Sequence, residues 1–355
     1  MARPSVLSRL HEGCVIPAHP LALTSVNQLD EQCQRALTRY YLAAGAGGVA
    51  VGVHTTQFAI HDPKVGLYKP VLELAAQTAS QFVPSGHRQQ PILIAGLVGN
   101  TPQAIREAQL AAELGYDLGL LSLTALRGKS VDELVDHARQ LADIIPIMGF
   151  YLQSTISHMV LPKEFWSRLV EIPNVRAIKI APFNRYQTLD VLEAVATSGR
   201  ASEIALYTGN DDNIIVDLLT SYRFRTAGHE VQLRIVGGLL GQWACWTRRA
   251  AENLEAIHEI HRAGGSVPQE MLTLASQLTL ANKAIFDADN SFVGCIPGIS
   301  YILQRQGLMS HVGTLDPADH LSPGQTEQID QIVRQYPHLT DDEFSRANLD
   351  AWLAK

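Results

Sequence analysis

Short apolar runs alternate along the chain with longer stretches whose apolar positions recur at helical spacing. The runs are CVIPA (14–18), GVAVGV (48–53), ILIAGL (92–97), LGLLSL (118–123), IPIMGFYL (145–152), VRAIKIA (175–181), EIALYTG (203–209) and LRIVGGLL (233–240). Each is rich in Val, Ile and Leu and too continuous for a strand with one wet face. The pattern predicts strands covered on both sides. Between them, Leu29 to Ala44, a segment opening at Thr101-Pro102, and Val131–Ala142, Pro162–Val170, Gln187–Ala196 and Asp212–Ser221 read as helices. Thr101 is a candidate N-cap with Pro102 at the first helical position. Eight strand–helix units with short connections predict a closed (β/α)8 TIM barrel, with a doubly wound open sheet as the rival.

After the eighth run the pattern becomes all helical. Trp243–Arg262, Pro268–Asp287, Gly298–Arg305, Pro323–Tyr336 and Asp341–Leu353 read as helices. The expected organisation is a barrel over 1–262 and a C-terminal helical extension over 263–355. With 355 residues, 46% of them hydrophobic, a large core is within reach. The 28 basic and 35 acidic residues give a net charge of −7 without a basic run, which argues against a nucleic-acid partner. Cys14, Cys33, Cys245 and Cys295 show no CxxC spacing, so reduced thiols in a cytoplasmic protein are expected. The N-terminal MARPSVLSRLHEG lacks an apolar stretch of signal-peptide length, and no segment reaches the roughly 20 apolar residues of a membrane span.

Barrel chemistry sits at the C-terminal ends of strands. Lys179 stands out inside Ala-Ile-Lys-Ile-Ala, on a face with Val175, Ala177 and Ala181, while Ile178 and Ile180 take the helix-facing side. An ammonium ion buried among small residues loses its proton readily and becomes a nucleophile for carbonyl carbon. The competing reading is a structural Lys paired with a buried carboxylate, and no acidic residue lies inside the other seven runs. Tyr151 ends the neighbouring run and could shuttle protons as a phenol. His54-Thr55-Thr56 ends the second run, where hydroxyls and backbone N–H groups could bind a carboxylate. Gly237, with Gly238 and Gly241, could admit a substrate close to the backbone, though tight packing explains these glycines equally well.

At these residues the sequence resembles the dihydrodipicolinate synthase/N-acetylneuraminate lyase family of Schiff-base class I aldolases, from Gly13 to about Met309. AIKIAPFN matches the strand-six motif at Lys179, PIMGFY the strand-five tyrosine region, Thr55-Thr56 the double-Thr motif, and LYTGNDD (206–212) the strand-seven signature. FDADNSFVGCIPGISYILQRQGL (286–308) resembles the helical C-terminal segment. Tyr151 has the family's spacing to Lys179; Phe150 would be the match counted from the Pro side, but it has no hydroxyl. The resemblance implies a pyruvate-type 2-oxo acid held as an imine on Lys179, with Tyr151 as acid/base. It implies further that the Thr pair holds the carboxylate. An aldehyde partner, no cofactor and a homotetramer built from dimers are expected.

The sequence departs from the family at several points. His54 and Gln57 replace the glycines around the Thr pair, Phe58 replaces a Glu, and LSLTALRGKS (121–130) lacks the relay Tyr. Ile156 stands where dihydrodipicolinate synthases carry an Arg for the carboxylate of aspartate semialdehyde; Gln153 could donate there to a neutral partner group instead. Two other readings remain. One is a metal-dependent barrel drawing on His19, His54, His229-Glu230 or the pair His258/His261. The other is a barrel that binds without catalysing.

Overall fold

The computed structural model describes residues 4–82, 90–226 and 228–354. Met1–Arg3 of the N-terminal stretch lie outside them. Among the described residues there are ten strands: β1 Val15–Pro17, β2 Gly48–Val51, β3 Ile92–Leu97, β4 Leu118–Leu121, β5 Ile147–Leu152, β6 Val175–Ala181, β7 Ala205–Thr208, β8 Ser221–Thr226, β9 His229–Arg234 and β10 Gly237–Leu240. Eight of them are parallel neighbours in the order β1-β10-β7-β6-β5-β4-β3-β2, which with the intervening helices is the (β/α)8 class expected from the apolar runs. All residues of β2, β3, β4, β7 and β10 are buried, as strands covered on both faces require.

The chain divides into two compact units. One comprises Met1–Cys14 and Leu93–Leu239, the other Val15–Ile92 and Leu240–Lys355. In the first, β4 pairs with β3 and β5, and β6 with β5 and β7, all in parallel. Arg200 closes the turn before β6: its guanidinium donates to the carbonyls of Val170, Ile172, Pro173 and Val175 at 2.6–3.2 Å. Charge-assisted bonds of this kind fix the start of β6 firmly. In the second unit, Tyr40 donates to Asp341, whose carboxylate also accepts the Arg248 N–H, and Trp352 packs on the Tyr40 ring. Those contacts tie the last helix, Asp342–Leu353, to helix Glu31–Ala43.

Several local expectations need revision. Asn100, not Thr101, caps the helix Thr101–Glu113: its side chain accepts the Gln103 N–H, and the Thr101 hydroxyl bonds His137. A helix at Tyr68–Gln81 stands outside the expected set. The expected helix Asp212–Ser221 is only Ile214–Leu219. Ser221 instead opens an antiparallel hairpin, with Tyr222 opposite Leu233 and Phe224 opposite Val231. Ser-Tyr-Arg-Phe-Arg-Thr alternates exposed and half-buried positions, a period-two pattern that belongs to a strand with one wet face. Leu233 and Arg234 therefore belong to the hairpin, and only Gly237–Leu240 of the eighth run lies in the parallel sheet.

Candidate active site

Strand β6 alternates as the sequence requires. Ile178 pairs with Gly149, and a Cβ at Gly149 would meet Leu169 and Trp166 of the covering helix Lys163–Leu169. Ile178 and Ile180 therefore face the helix layer, and Lys179 faces the opposite way. Only 7% of Lys179 is exposed. Its register partners are Phe150 on β5 and Tyr207 on β7. The ammonium nitrogen lies 4.4 Å from the Phe150 ring centroid, within cation–π range. Burial lowers the Lys179 pKa to about 8, against the opposing pull of Asp211. Space for the lysine stem comes from Gly209, where a Cβ would lie 2.6 Å from Lys179 Cε and 2.7 Å from Ala181 Cβ.

Asp211 escaped the sequence reading because it lies two residues beyond the apolar run that ends at Gly209. It is 8% exposed and its N–H returns to the Gly209 carbonyl. A polar network holds this turn. Thr208 and Asn210 donate to the fully buried Asp217, Asn210 N–H donates to Thr208 Oγ1, and Asn210 Oδ1 accepts the Phe183 N–H. Phe183 sits at φ +53°, a left-handed conformation that this bond helps to hold at the exit of β6.

The structure does not bring Tyr151 to Lys179. Tyr151 pairs with Ile180 and shares its outward face. Its hydroxyl donates to Leu161 O at 3.2 Å, its ring packs 5.1 Å from that of Trp166, and burial pushes its pKa up to about 12. The cause is a bulge between Ile147 and Met148, whose partners are Val175 and Ala177. Arg176 is the extra residue. Without it, Met148 would face Arg176, and Tyr151 would then stand opposite Lys179. The phenol expected at the amine is replaced by the Phe150 ring. Accordingly Tyr151→Phe, measured by turnover and thermal melting, should change the rate less than about threefold, far below the 10²-fold or more expected of a positioned acid/base. Its expected cost is about 1 kcal/mol of stability from the lost bond. A hundredfold loss of rate would return the phenol to the chemistry.

Other expected site residues fall as follows. The Thr55 hydroxyl donates to Ala18 O at 2.8 Å, and that of Thr56 donates to His19 O at 2.6 Å while accepting the N–H groups of Gly52 and Val53. Both hydroxyl protons are thus committed to the backbone. His54 packs edge-on to Phe58. Gln57, at φ +67°, bonds Leu315 N–H and Gly313 O in the C-terminal extension. Gln153 is buried just past β5 and opens the short helix Ser154–Ser157. It stands two residues beyond Tyr151, whose face points away from Lys179. Gly237 is the first residue of β10, the wrong end for barrel chemistry; a Cβ there would collide with the Cys14 backbone and the Tyr207 ring. Packing accounts for it. His19 is enclosed by Thr38, Pro20 and Gln34 and lowered by burial to about 4, a neutral core histidine. His229 lies in the hairpin, and His258 and His261 on helix Thr247–Ala263. Among the described residues, no three His, Cys, Asp or Glu side chains gather as a metal-ligating group. Nor is any described helix long and apolar enough to cross a membrane.

The parallel (β/α)8 fold is that of the class I aldolases of the dihydrodipicolinate synthase and N-acetylneuraminate lyase type. The chain belongs to the dihydrodipicolinate synthetase family, whose model matches residues 13–221. Among curated relatives, the 4-hydroxy-tetrahydrodipicolinate synthase of Cyanothece sp. is 33% identical over 131 residues, 36% of this chain and 42% of that protein. The enzyme of the same name from Exiguobacterium sibiricum is 28% identical over 195 residues, 54% of this chain and 61% of its own length. The matches thus span about half the length of these relatives. Solved structures share the fold. A prophage protein of the dihydrodipicolinic acid synthase family from E. coli K12, in complex with pyruvate, superposes with a TM-score of 0.72 at 17% identity, covering 91% of this chain and 98% of its own. N-acetylneuraminate lyase from Mycoplasma synoviae does so at 0.65 and 14%, covering 92% and 98%.

Proposed function

We propose that this protein is a class I aldolase-type lyase that binds a pyruvate-type 2-oxo acid as an imine on Lys179. The observation that carries the reading is a buried amine with its pKa lowered to about 8, in space kept open by Gly209. The attacking species is the neutral amine, whose population rises as pH climbs through the folded-state pKa. Borohydride trapping of pyruvate, followed by intact mass, should therefore quicken with pH and level off above about 8. A rate still climbing toward 10.5, the ordinary lysine value, would mean that the buried environment does not activate the amine.

The aldehyde partner is proposed to be uncharged or hydroxylated rather than aspartate semialdehyde. Ile156 occupies the position where the resembled synthases carry an Arg. Arg185 pairs with the buried Asp217 through Nη1 and keeps Nη2 without a hydrogen-bond partner among the described residues, and Arg127 is exposed on a loop. Ile156 offers no donor to a carboxylate recognised by paired guanidinium bonds. Condensation of pyruvate with aspartate semialdehyde should stay far below the usual enzyme range of about 1–10³ per second; turnover within it would refute the assignment.

Phe150 favours one alternative, a barrel that binds a 2-oxo acid but turns nothing over, since a phenyl ring supplies no proton. Trapping without turnover on any aldehyde tested would support that reading.

A further inference from the structure

We infer that Asp211 is the proton-transfer residue for imine formation on Lys179, in place of a phenol. The inference rests on the proposed Schiff-base reading. Its ground is the geometry of the β7 exit. Gly209 touches the lysine stem, with its Cβ position 2.6 Å from Cε, and Asp211 follows two residues later in a turn closed by its own N–H on Gly209 O. That turn is pinned by Thr208, Asn210 and Asp217, and Asn210 Oδ1 accepts the Phe183 N–H just past β6, so the turn lies beside the β6 exit. Phe150 and Tyr207, the residues paired with Lys179 across β5 and β7, offer no usable proton. Phe150 has none, and the Tyr207 hydroxyl donates to Leu10 O while burial holds its pKa far above neutral. The charge acting on the amine is that of Asp211.

The step balances as follows. The neutral Lys179 nitrogen attacks the keto carbon, and the C=O π electrons move to oxygen. The Asp211 carboxylate takes a proton from that nitrogen and hands it to the oxygen, leaving the neutral carbinolamine and the carboxylate. The nitrogen lone pair then closes the C=N bond as the C–O bond breaks with its electrons on oxygen. Asp211 carries the proton remaining on nitrogen to the departing hydroxide, and water leaves. The product is the neutral imine, with the carboxylate regenerated.

The test is the time course of pyruvate trapping by borohydride in wild type, Asp211→Asn and Asp211→Glu, each as a function of pH, with folding checked by thermal melting. Asp211→Asn should slow imine formation by about 10²-fold or more on the plateau above pH 8, the usual contribution of a positioned acid/base. The acid limb should also move to lower pH, because the negative charge that raises the Lys179 pKa is gone. Asp211→Glu should recover part of the rate. If Asp211→Asn does not fold, Asp211→Ala with added formate is read instead, and formate should speed trapping. A plateau rate equal to wild type in Asp211→Asn, or no formate effect in Asp211→Ala, would overturn the assignment. A wild type that traps no 2-oxo acid would overturn the Schiff-base reading itself, a result distinct from a fast Asp211→Asn.

Discussion

Replacing Lys179 by Ala should abolish pyruvate trapping, with no mass added where the wild type gains one reduced adduct. Lys179→Arg should fail as well, because a guanidinium stays protonated at any pH a protein tolerates. Equal labelling of wild type and Lys179→Ala would remove the central claim. A stability measurement makes the same point from the other side. With a folded-state pKa of about 8 against an ordinary 10.5, the unfolded chain holds more protons than the folded one between those values. Stability therefore rises with pH across that window, and below it the buried lysine costs the fold roughly 3 kcal/mol, from about 1.4 kcal/mol per pKa unit. Lys179→Met, an apolar chain of similar length, should thus unfold at higher urea concentration at pH 7, by about 1 kcal/mol or more, since the pKa of about 8 already contains the attraction of Asp211. The gain should shrink as pH approaches 10.5. Lower stability of Lys179→Met at pH 7 would show instead that the Lys179–Asp211 attraction outweighs the burial cost.

Gly209→Ala should be almost as damaging to function as loss of the lysine. The new methyl would lie 2.6 Å from Lys179 Cε and 2.7 Å from Ala181 Cβ, both inside any tolerable carbon–carbon contact. The Ala181 methyl is fixed to its strand, so the lysine stem must give way. Overpacking of this kind costs about 1–3 kcal/mol of stability. A reacting atom displaced by even about 1 Å can lose 10²-fold in rate. Trapping rate and urea unfolding should therefore both fall in Gly209→Ala. A variant that traps pyruvate at the wild-type rate would show that this close approach does not set the position of the amine.

What the sequence carried by itself was the alternation of apolar runs and helical patterns, because a strand covered on both faces must be continuously apolar and its connecting helices must keep one apolar stripe. That was enough for the eight parallel strands, for most helices within a few residues, and for Lys179, whose charge interrupts an otherwise apolar strand. The hairpin formed by Ser221–Thr226 and His229–Arg234 has its own signature in the alternation of Tyr222 and Phe224 with Arg223 and Arg225, though its two ends also continue the helical pattern before it and the apolar run after it. The partners of Lys179 were not legible in the same way. Which residue of β5 faces the amine depends on the one-residue bulge at Arg176, and a shift of one residue reverses the face of every side chain after it. Sequence spacing alone selected Tyr151; the bulged register places Phe150 over the ammonium and turns the phenol toward Leu161 and Trp166. Asp211 likewise lies past the end of its strand, where no periodicity applies; its turn closes on Gly209 and is held by the bonds of Thr208 and Asn210 to Asp217. Local pattern set the strands and the nucleophile, whereas register and turn closure, which depend on contacts between distant segments, decided what surrounds it.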